Sequence, residues 1–344
     1  MANRPVNIGI VGLGFMAATH VKAYAKIKGA RIVAVCNPSG RHLDGDLSRV
    51  SGNVGDPNPV RLDMAVIRGY RDYNEFLQHP NLELVDITSP TMTHPELAIA
   101  ALSAGKHVVV EKPLARTSAA AQKIVRAAQN ASTFVMPAMC LRFWPEWAYL
   151  KKLVAEETYG RTLAVRFRRV AEPPAWGAKH FPQGAMSGGA LLDLHIHDVD
   201  FVQHLFGMPE KVVSTGYTKF SGAIDHVVTQ YTVKGGAIVH AEGSWAMTKG
   251  FGFNMSYTAN FERATLDYDL SRGTDALKLS VEGKKPKTLH LRGHDGYVGE
   301  LQHMLDAIRS GKAPSTVTIE EGLSAVRVCE AEERSISAGK AVQL

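Results

Sequence analysis

Val6-Asn7-Ile8-Gly9-Ile10-Val11-Gly12-Leu13-Gly14-Phe15-Met16-Ala17 is an apolar run joined directly to a G-x-G-x-x-A turn. A helical pattern from His20 to Ile27 follows, so the stretch reads as strand, tight turn and helix. In such a turn the first glycine permits the bend and the second lets main chain approach a pyrophosphate. The small third residue lets helix pack on strand, and the helix N-terminus faces the phosphates. Gly12, Gly14, Phe15 and Met16 are therefore expected at a dinucleotide.

Outward from this unit the pattern repeats. Arg31 to Cys36, Leu84 to Ser89, His107 to Val110 and Thr133 to Met136 read as buried strands. Glu96 to Ala104, closed by Gly105, and Ser118 to Asn130 read as helices between them. Alternating strand and helix predicts an α/β class with a doubly wound parallel sheet, a Rossmann domain. Residues 38 to 69, punctuated by Pro38, Gly40, Gly45, Gly52, Gly55, Pro57 and Pro59, predict a long loop. The parallel pattern fades between residues 125 and 138, and the domains are set at 1–125 and 126–344. Beyond it, Thr162 to Val170, Lys211 to Tyr217, Val227 to Val233, Ala237 to Trp245 and Phe253 to Phe261 alternate as in an antiparallel sheet. Helices at Tyr297 to Arg309 and Glu320 to Ser337 complete an α+β second domain.

A chain of 344 residues carries about two domains at roughly 150 residues each. With 45% hydrophobic and 21% charged residues it falls outside the disordered, fibrous and coiled-coil classes. Cys36, Cys140 and Cys329 are an odd, scattered set, which argues against disulfides and structural zinc. No window reaches the roughly 18 apolar residues of a membrane span. The start Met1-Ala2-Asn3-Arg4-Pro5 has no apolar leader, so a cytoplasmic location is expected. The net charge of +6 is scattered, which points away from nucleic acid. Arg161, Arg166, Arg168 and Arg169 read as a solvated or subunit-facing edge.

The residue that selects between nicotinamide cofactors lies about 20 positions past the turn's third small residue. Here it is Asn37, and Ser39 and Arg41 follow. An acidic residue would hold the ribose hydroxyls of NAD, whereas this set offers donors and a cation suited to a 2′-phosphate. NADP is preferred over NAD on that ground, with a plain turn at residues 37–40 and an inward Asp44 or Asp46 as the alternative. Ser89, Pro90 and Thr91 form a second cofactor edge at the end of another strand, and Glu111-Lys112-Pro113 ends a third. Lys112 is suited to stabilising negative charge on a substrate oxygen, with Glu111 orienting it or contacting the nicotinamide ribose. In Ser187 to Asp198 the glycines 188 and 189 precede a predicted helix that puts Asp193 and His197 on one face with Asp200 and His204. His195 is turned away, so the H-x-H does not form a metal clamp on a helix, and no metal is expected. An Asp–His pair of this kind moves protons near neutral pH.

Taken together these residues resemble the family of glucose-fructose oxidoreductase, inositol dehydrogenase and the rhizopine-catabolism proteins, Gfo/Idh/MocA. The likeness runs from Gly12–Ala17 with His20, through Ser89-Pro90-Thr91 with His94, Glu111-Lys112-Pro113, and Asp193 with His197, to Tyr297 with Glu300. It implies a Rossmann domain and an open, mainly antiparallel sheet with substrate on one side and oligomer contacts on the other, hence a homodimer or homotetramer. It also implies that Lys112, Asp193 and His197 are catalytic and line a sugar or polyol pocket with Trp176 and Tyr297. Arg142 and Trp176 then lie near the nicotinamide and His94 near the cofactor. Two departures stand out: His195 where the family has glycine in D-x-G-x-H, and Asn37 where many relatives carry Asp. The expected activity is hydride transfer between NADP or NAD and a secondary alcohol. Redox-neutral sugar chemistry on a retained cofactor and a non-catalytic cofactor sensor are the alternatives.

Overall fold

The computed structural model describes residues 4–50, 52, 58–174 and 182–344. They form two compact units, Met1–Cys140 with Asp295–Leu323, and Leu141–His294 with Ser324–Leu344.

In the first unit the chain runs β1 (Val6–Val11), α1 (Phe15–Ala25), β2 (Ala30–Cys36), β3 (Arg68–Tyr70), α2 (Tyr73–Leu77), β4 (Leu84–Ile87), α3 (His94–Ser103), β5 (His107–Glu111), α4 (Ser118–Gln129) and β6 (Val135–Ala138). All strand pairs are parallel, in the order β3-β2-β1-β4-β5-β6. Helices cover both faces of such a sheet, which is why β4 and β6 are buried at every residue and read as unbroken apolar runs. The strand order reverses direction between β1 and β4, and ligands of doubly wound sheets bind beyond the carboxyl ends at that point. Among the described residues of the loop from Asn37 to Ile67, Asp46 pairs with Arg61 in an isolated bridge.

The second unit holds α5 (Pro145–Ala155), β7 (Thr162–Ala171), α6 (Gly184–Ser187), α7 (Gly189–Asp193), α8 (Ile196–Phe206), β8 (Lys211–Tyr217), β9 (His226–Thr232), β10 (Ile238–Ser244), β11 (Phe253–Phe261), β12 (Ala264–Asp269), β13 (Leu277–Val281) and β14 (Lys287–Leu289). Next come α9 (Gly296–Ser310), which belongs to the first unit, then α10 (Ile319–Ala338) and β15 (Val342–Gln343). The nine-stranded sheet runs β14-β13-β12-β11-β7-β10-β9-β8-β15 and is antiparallel except for the β7–β10 pair. Burial alternates along β8 and β9, so one face packs inward and the other faces out. Trp147 anchors the inner side, stacked on Phe167 at 5.7 Å and edge-on to Phe201 at 4.8 Å.

Two features differ from the sequence reading. The parallel sheet continues past residue 125, because Val108 to Glu111 pair with Val135 to Ala138. Asp295–Leu323 also falls in the first unit, where the apolar stripe Val298, Leu301, Met304, Leu305 and Ile308 lets α9 pack on α1. A chain that leaves a domain and returns to it gives no local periodicity signal. No described helix is long and apolar enough to cross a membrane.

Candidate active site

At the reversal point Gly12 has φ +87°, and a Cβ there would lie 2.6 Å from the Ser89 Cα. The bend and the close approach of two strand ends both require glycine. Thr88 laces the same ends together, its hydroxyl donating to the Gly12 carbonyl at 2.7 Å. Gly14 is exposed, and a Cβ on it would meet nothing within 4 Å. It caps α1 without a side-chain hydrogen bond, and the first turn carries no acidic residue. A first turn with neither a side-chain cap nor an acidic residue suits the pyrophosphate of a dinucleotide. Phe15 and Met16 are half-buried beside it, and the Phe15 ring lies against Gly52.

Past β2, Asn37 closes a turn on itself. Its Nδ2 donates to the Arg41 carbonyl at 2.8 Å, and its Oδ1 accepts from the Ser39 hydroxyl at 3.0 Å. Gly40, at φ +75°, is covered by the Arg71 guanidinium. Among the described residues neither the Arg41 nor the Arg71 guanidinium has a hydrogen-bond or carboxylate partner, and both residues are exposed. Sequence reading missed Arg71 because it follows β3, a three-residue strand inside a loop-like stretch. Only the pairing of Cys36 with Tyr70 brings it beside Asn37.

After β4, Ser89 is half-buried with its hydroxyl on Thr93 at 2.7 Å, Pro90 is exposed, and Thr91 is buried. His94, expected among cofactor contacts, is instead 1% exposed. Its ring nitrogens face the carbonyls of Ser89 and Pro113, each at 2.9 Å, so it ties the loop after β4 to the loop after β5. Burial lowers its pKa, and a neutral ring donates to only one of those carbonyls. Glu111 is buried at the end of β5, and its Oε2 accepts the N–H of Lys112 at 3.0 Å. Lys112 itself is half-buried. Tyr297, half-buried on α9, has its ring 6.5 Å from that of His20.

In the second unit the predicted single helix is two. α7 ends at Asp193 and α8 begins at Ile196, and the His195 N–H reaches back five residues to the Ala190 carbonyl at 2.8 Å. His195, the departure from the family glycine, points into the core. Its Nε2 is 3.1 Å from the Tyr231 hydroxyl and 3.4 Å from Glu332. Its ring occupies the space a side chain at residue 243 would need, and that residue is glycine. Burial opposes a charge on this imidazole, but Glu332 outweighs it and the pKa is raised.

Two buried ion pairs hold α8 in place. Asp198 accepts from Nε and Nη2 of Arg169 at 3.0 and 3.1 Å, and Asp200 from Nε and Nη2 of Arg142 at 2.9 and 2.6 Å. Arg169 thus departs from the expected solvated edge, because the strand's alternation turns it inward onto Asp198 and over the Trp147 ring at 5.5 Å. The Arg142 side chain, expected beside a nicotinamide, is fully buried on Asp200. The expected polar face is correspondingly narrower. Asp200 is internal, and His204 is only half-exposed, its pKa pushed down to about 3 by burial and then by Arg142 and Lys151. From Ser187 to Gln203 every residue is buried except Asp193 and His197, which are half-buried. Trp176 lies outside the described residues.

Residues 6–139 match the family model for the NAD-binding Rossmann fold of the Gfo/Idh/MocA oxidoreductases, and residues 147–267 match that family's C-terminal domain. The chain belongs to this oxidoreductase family. Within it, the chain is 25% identical over 352 residues to myo-inositol 2-dehydrogenase of Thermotoga maritima, covering 98% of each. It is 27% identical over 308 residues to scyllo-inositol 2-dehydrogenase (NADP(+)) of Bacillus subtilis, covering 83% of this chain and 85% of the relative. In fold it matches a levoglucosan dehydrogenase solved with NADH and L-sorbose, at TM-score 0.83, 21% identity and 99% coverage of both chains.

Proposed function

We propose that this protein is a cytoplasmic, NADP-preferring dehydrogenase acting on a secondary alcohol of a sugar or polyol. The observation that carries the reading is that Asp193 and His197 alone reach the surface from an otherwise buried, doubly anchored segment. A proton-transfer pair held this way is suited to an alcohol. His197 takes the hydroxyl proton as general base, and Asp193 orients and stabilises the imidazolium. Lys112 stabilises the alkoxide left behind. The nicotinamide, when bound, supplies the hydride acceptor. Gly12, Gly14, Phe15 and Met16 with the first turn of α1 would hold its pyrophosphate, and Ser89 and Pro90 would border it. Asn37, Ser39, Arg41 and Arg71 would surround the adenosine ribose, where two guanidiniums favour a 2′-phosphate. Free, buried Cys36, Cys140 and Cys329 suit a reducing compartment.

A panel of inositols, sugars, sugar acids and glycosides, assayed with both cofactors by nicotinamide absorbance, tests the reading. Turnover of at least one polyol is expected, with kcat/KM higher for NADP and the preference lost in Arg41→Ala/Arg71→Ala. Higher kcat/KM with NAD overturns the cofactor assignment. Turnover without added nicotinamide replaces net oxidation with redox-neutral chemistry, and cofactor binding without turnover of any panel member points to a sensor.

The same reading includes a homodimer or homotetramer formed through the outer sheet face. Val213, Tyr217, Val228 and Ile238 are 43, 49, 37 and 60% exposed there, an apolar set on adjoining strands. Ile238→Arg is expected to shift sedimentation toward the monomer, and wild-type protein sedimenting as a monomer would remove this part of the proposal.

A further inference from the structure

Inside the first unit, four elements each send one ionisable side chain to a common point: His20 from α1, Asp86 from β4, Glu111 from β5 and Glu300 from α9. All are buried. His20 Nδ1 is 2.8 Å from Asp86 Oδ2, and its Nε2 is 3.1 Å from Glu111 Oε1 and 3.9 Å from Glu300 Oε1. Three carboxyl groups thus surround one imidazole in the buried core of the first unit. Full ionisation would leave two uncompensated negative charges there, which a protein interior does not tolerate. Glu300 is the farthest of the three, and among the described residues neither of its oxygens has a hydrogen-bond partner. Burial, reinforced by Glu111 and Asp86, raises its carboxyl well above the usual range against the pull of His20. For His20 burial acts downward, yet Asp86 and then Glu111 hold the imidazole well above its ordinary value.

We propose that His20 acts through Glu111 as a positioning residue for Lys112, with Glu300 filling the core beside them. Glu111 is the link. One of its oxygens faces the His20 imidazolium and the other accepts the main-chain N–H of Lys112. With both oxygens engaged, the Glu111 carboxylate fixes the backbone from which Lys112 projects and is neutralised from behind by His20. An unneutralised carboxylate next in sequence to the lysine would draw the ammonium toward itself and away from a substrate oxygen. Glu300 contributes bulk that closes the core around the pair without adding a further negative charge. The inference rests on the proposed role of Lys112.

The test is steady-state kinetics on Glu111→Gln, His20→Gln, their double variant, Glu300→Gln and Lys112→Ala, with NADPH affinity by fluorescence titration and folding by thermal melt. Glu111→Gln is expected to lower kcat roughly ten- to hundredfold, the scale of a misplaced catalytic group, with NADPH affinity within about threefold. Adding His20→Gln to it should cost less than about twofold more, since the two residues act as one unit. Glu300→Gln, an amide in place of a protonated carboxyl, should stay within about twofold of wild type with an unchanged pH profile. Wild-type kcat in Glu111→Gln, losses that multiply in the double variant, or a displaced pH profile in Glu300→Gln would each overturn the proposal. If the His20 variants do not fold, the Glu111 and Glu300 variants decide it. Lys112→Ala separates the two levels: an active Lys112→Ala removes the reading beneath, whereas an inactive one beside a fully active Glu111→Gln removes only the relay.

Discussion

His197→Ala lowers kcat by about 10²- to 10⁴-fold, the range that a positioned general base contributes, while the protein melts close to the wild-type temperature. Both halves of the expectation come from the way residue 197 is held. His195 is fixed to Tyr231 and Glu332 on one side, and Asp198 and Asp200 to Arg169 and Arg142 on the other. The His197 ring is not among these bonds, and it is half-buried where its neighbours are internal. Truncating it therefore leaves the four anchors in place. Because a general base acts in the transition state, kcat and kcat/KM should fall together. Kinetics in which the variant keeps a wild-type kcat on a substrate found in the panel would strip the histidine of its role. A loss of kcat accompanied by a collapse of the melting temperature would show that the ring is part of the packing instead.

The first unit was readable from sequence because its physics is local. Strand, glycine turn and helix follow one another within Val6 to Ala25, and Gly12 lies where a positive φ and contact with Ser89 both exclude a side chain. Arg71 was invisible for the opposite reason. It reaches Asn37 only through the pairing of β3 with β2 across a loop that carries no periodic signal. The return of Asp295–Leu323 to the first unit is non-local in the same sense.

In the second unit the spacing of Asp193 and His197 was legible, but the unbroken helix drawn through them was not correct. The apolar periodicity of Leu192, Ile196 and Val199 survives the interruption at Leu194 and His195, so hydrophobic pattern alone does not report the break. Polarity was likewise an unreliable guide to exposure. Arg142, Arg169, His94 and His195 are all buried, each with a partner far along the chain or in another loop. A charged residue enters a core only when paired, and pairing partners distant in sequence are what a linear reading lacks.

Lys112→Ala is expected to lower kcat by about 10²- to 10³-fold, the effect of removing one preorganised group that meets developing negative charge. The lysine follows a strand buried from Val108 to Glu111 and bordered by Val85 to Ile87 and Val135 to Ala138, which holds its backbone on both sides. Its side chain is half-buried, where a charge is less screened than in bulk water. The alkoxide it serves exists only as the reaction proceeds, so substrate and cofactor affinities should change far less than kcat. NADPH titration of the variant distinguishes this from a damaged cofactor site. Arginine should not restore the rate, because a planar guanidinium does not deliver the compact charge of an ammonium to the same point. Recovery of full activity in Lys112→Arg would mean that the residue supplies only net positive charge to the site. Unchanged kcat in Lys112→Ala would leave alkoxide stabilisation to another group and detach the strand end at Glu111 from the chemistry altogether.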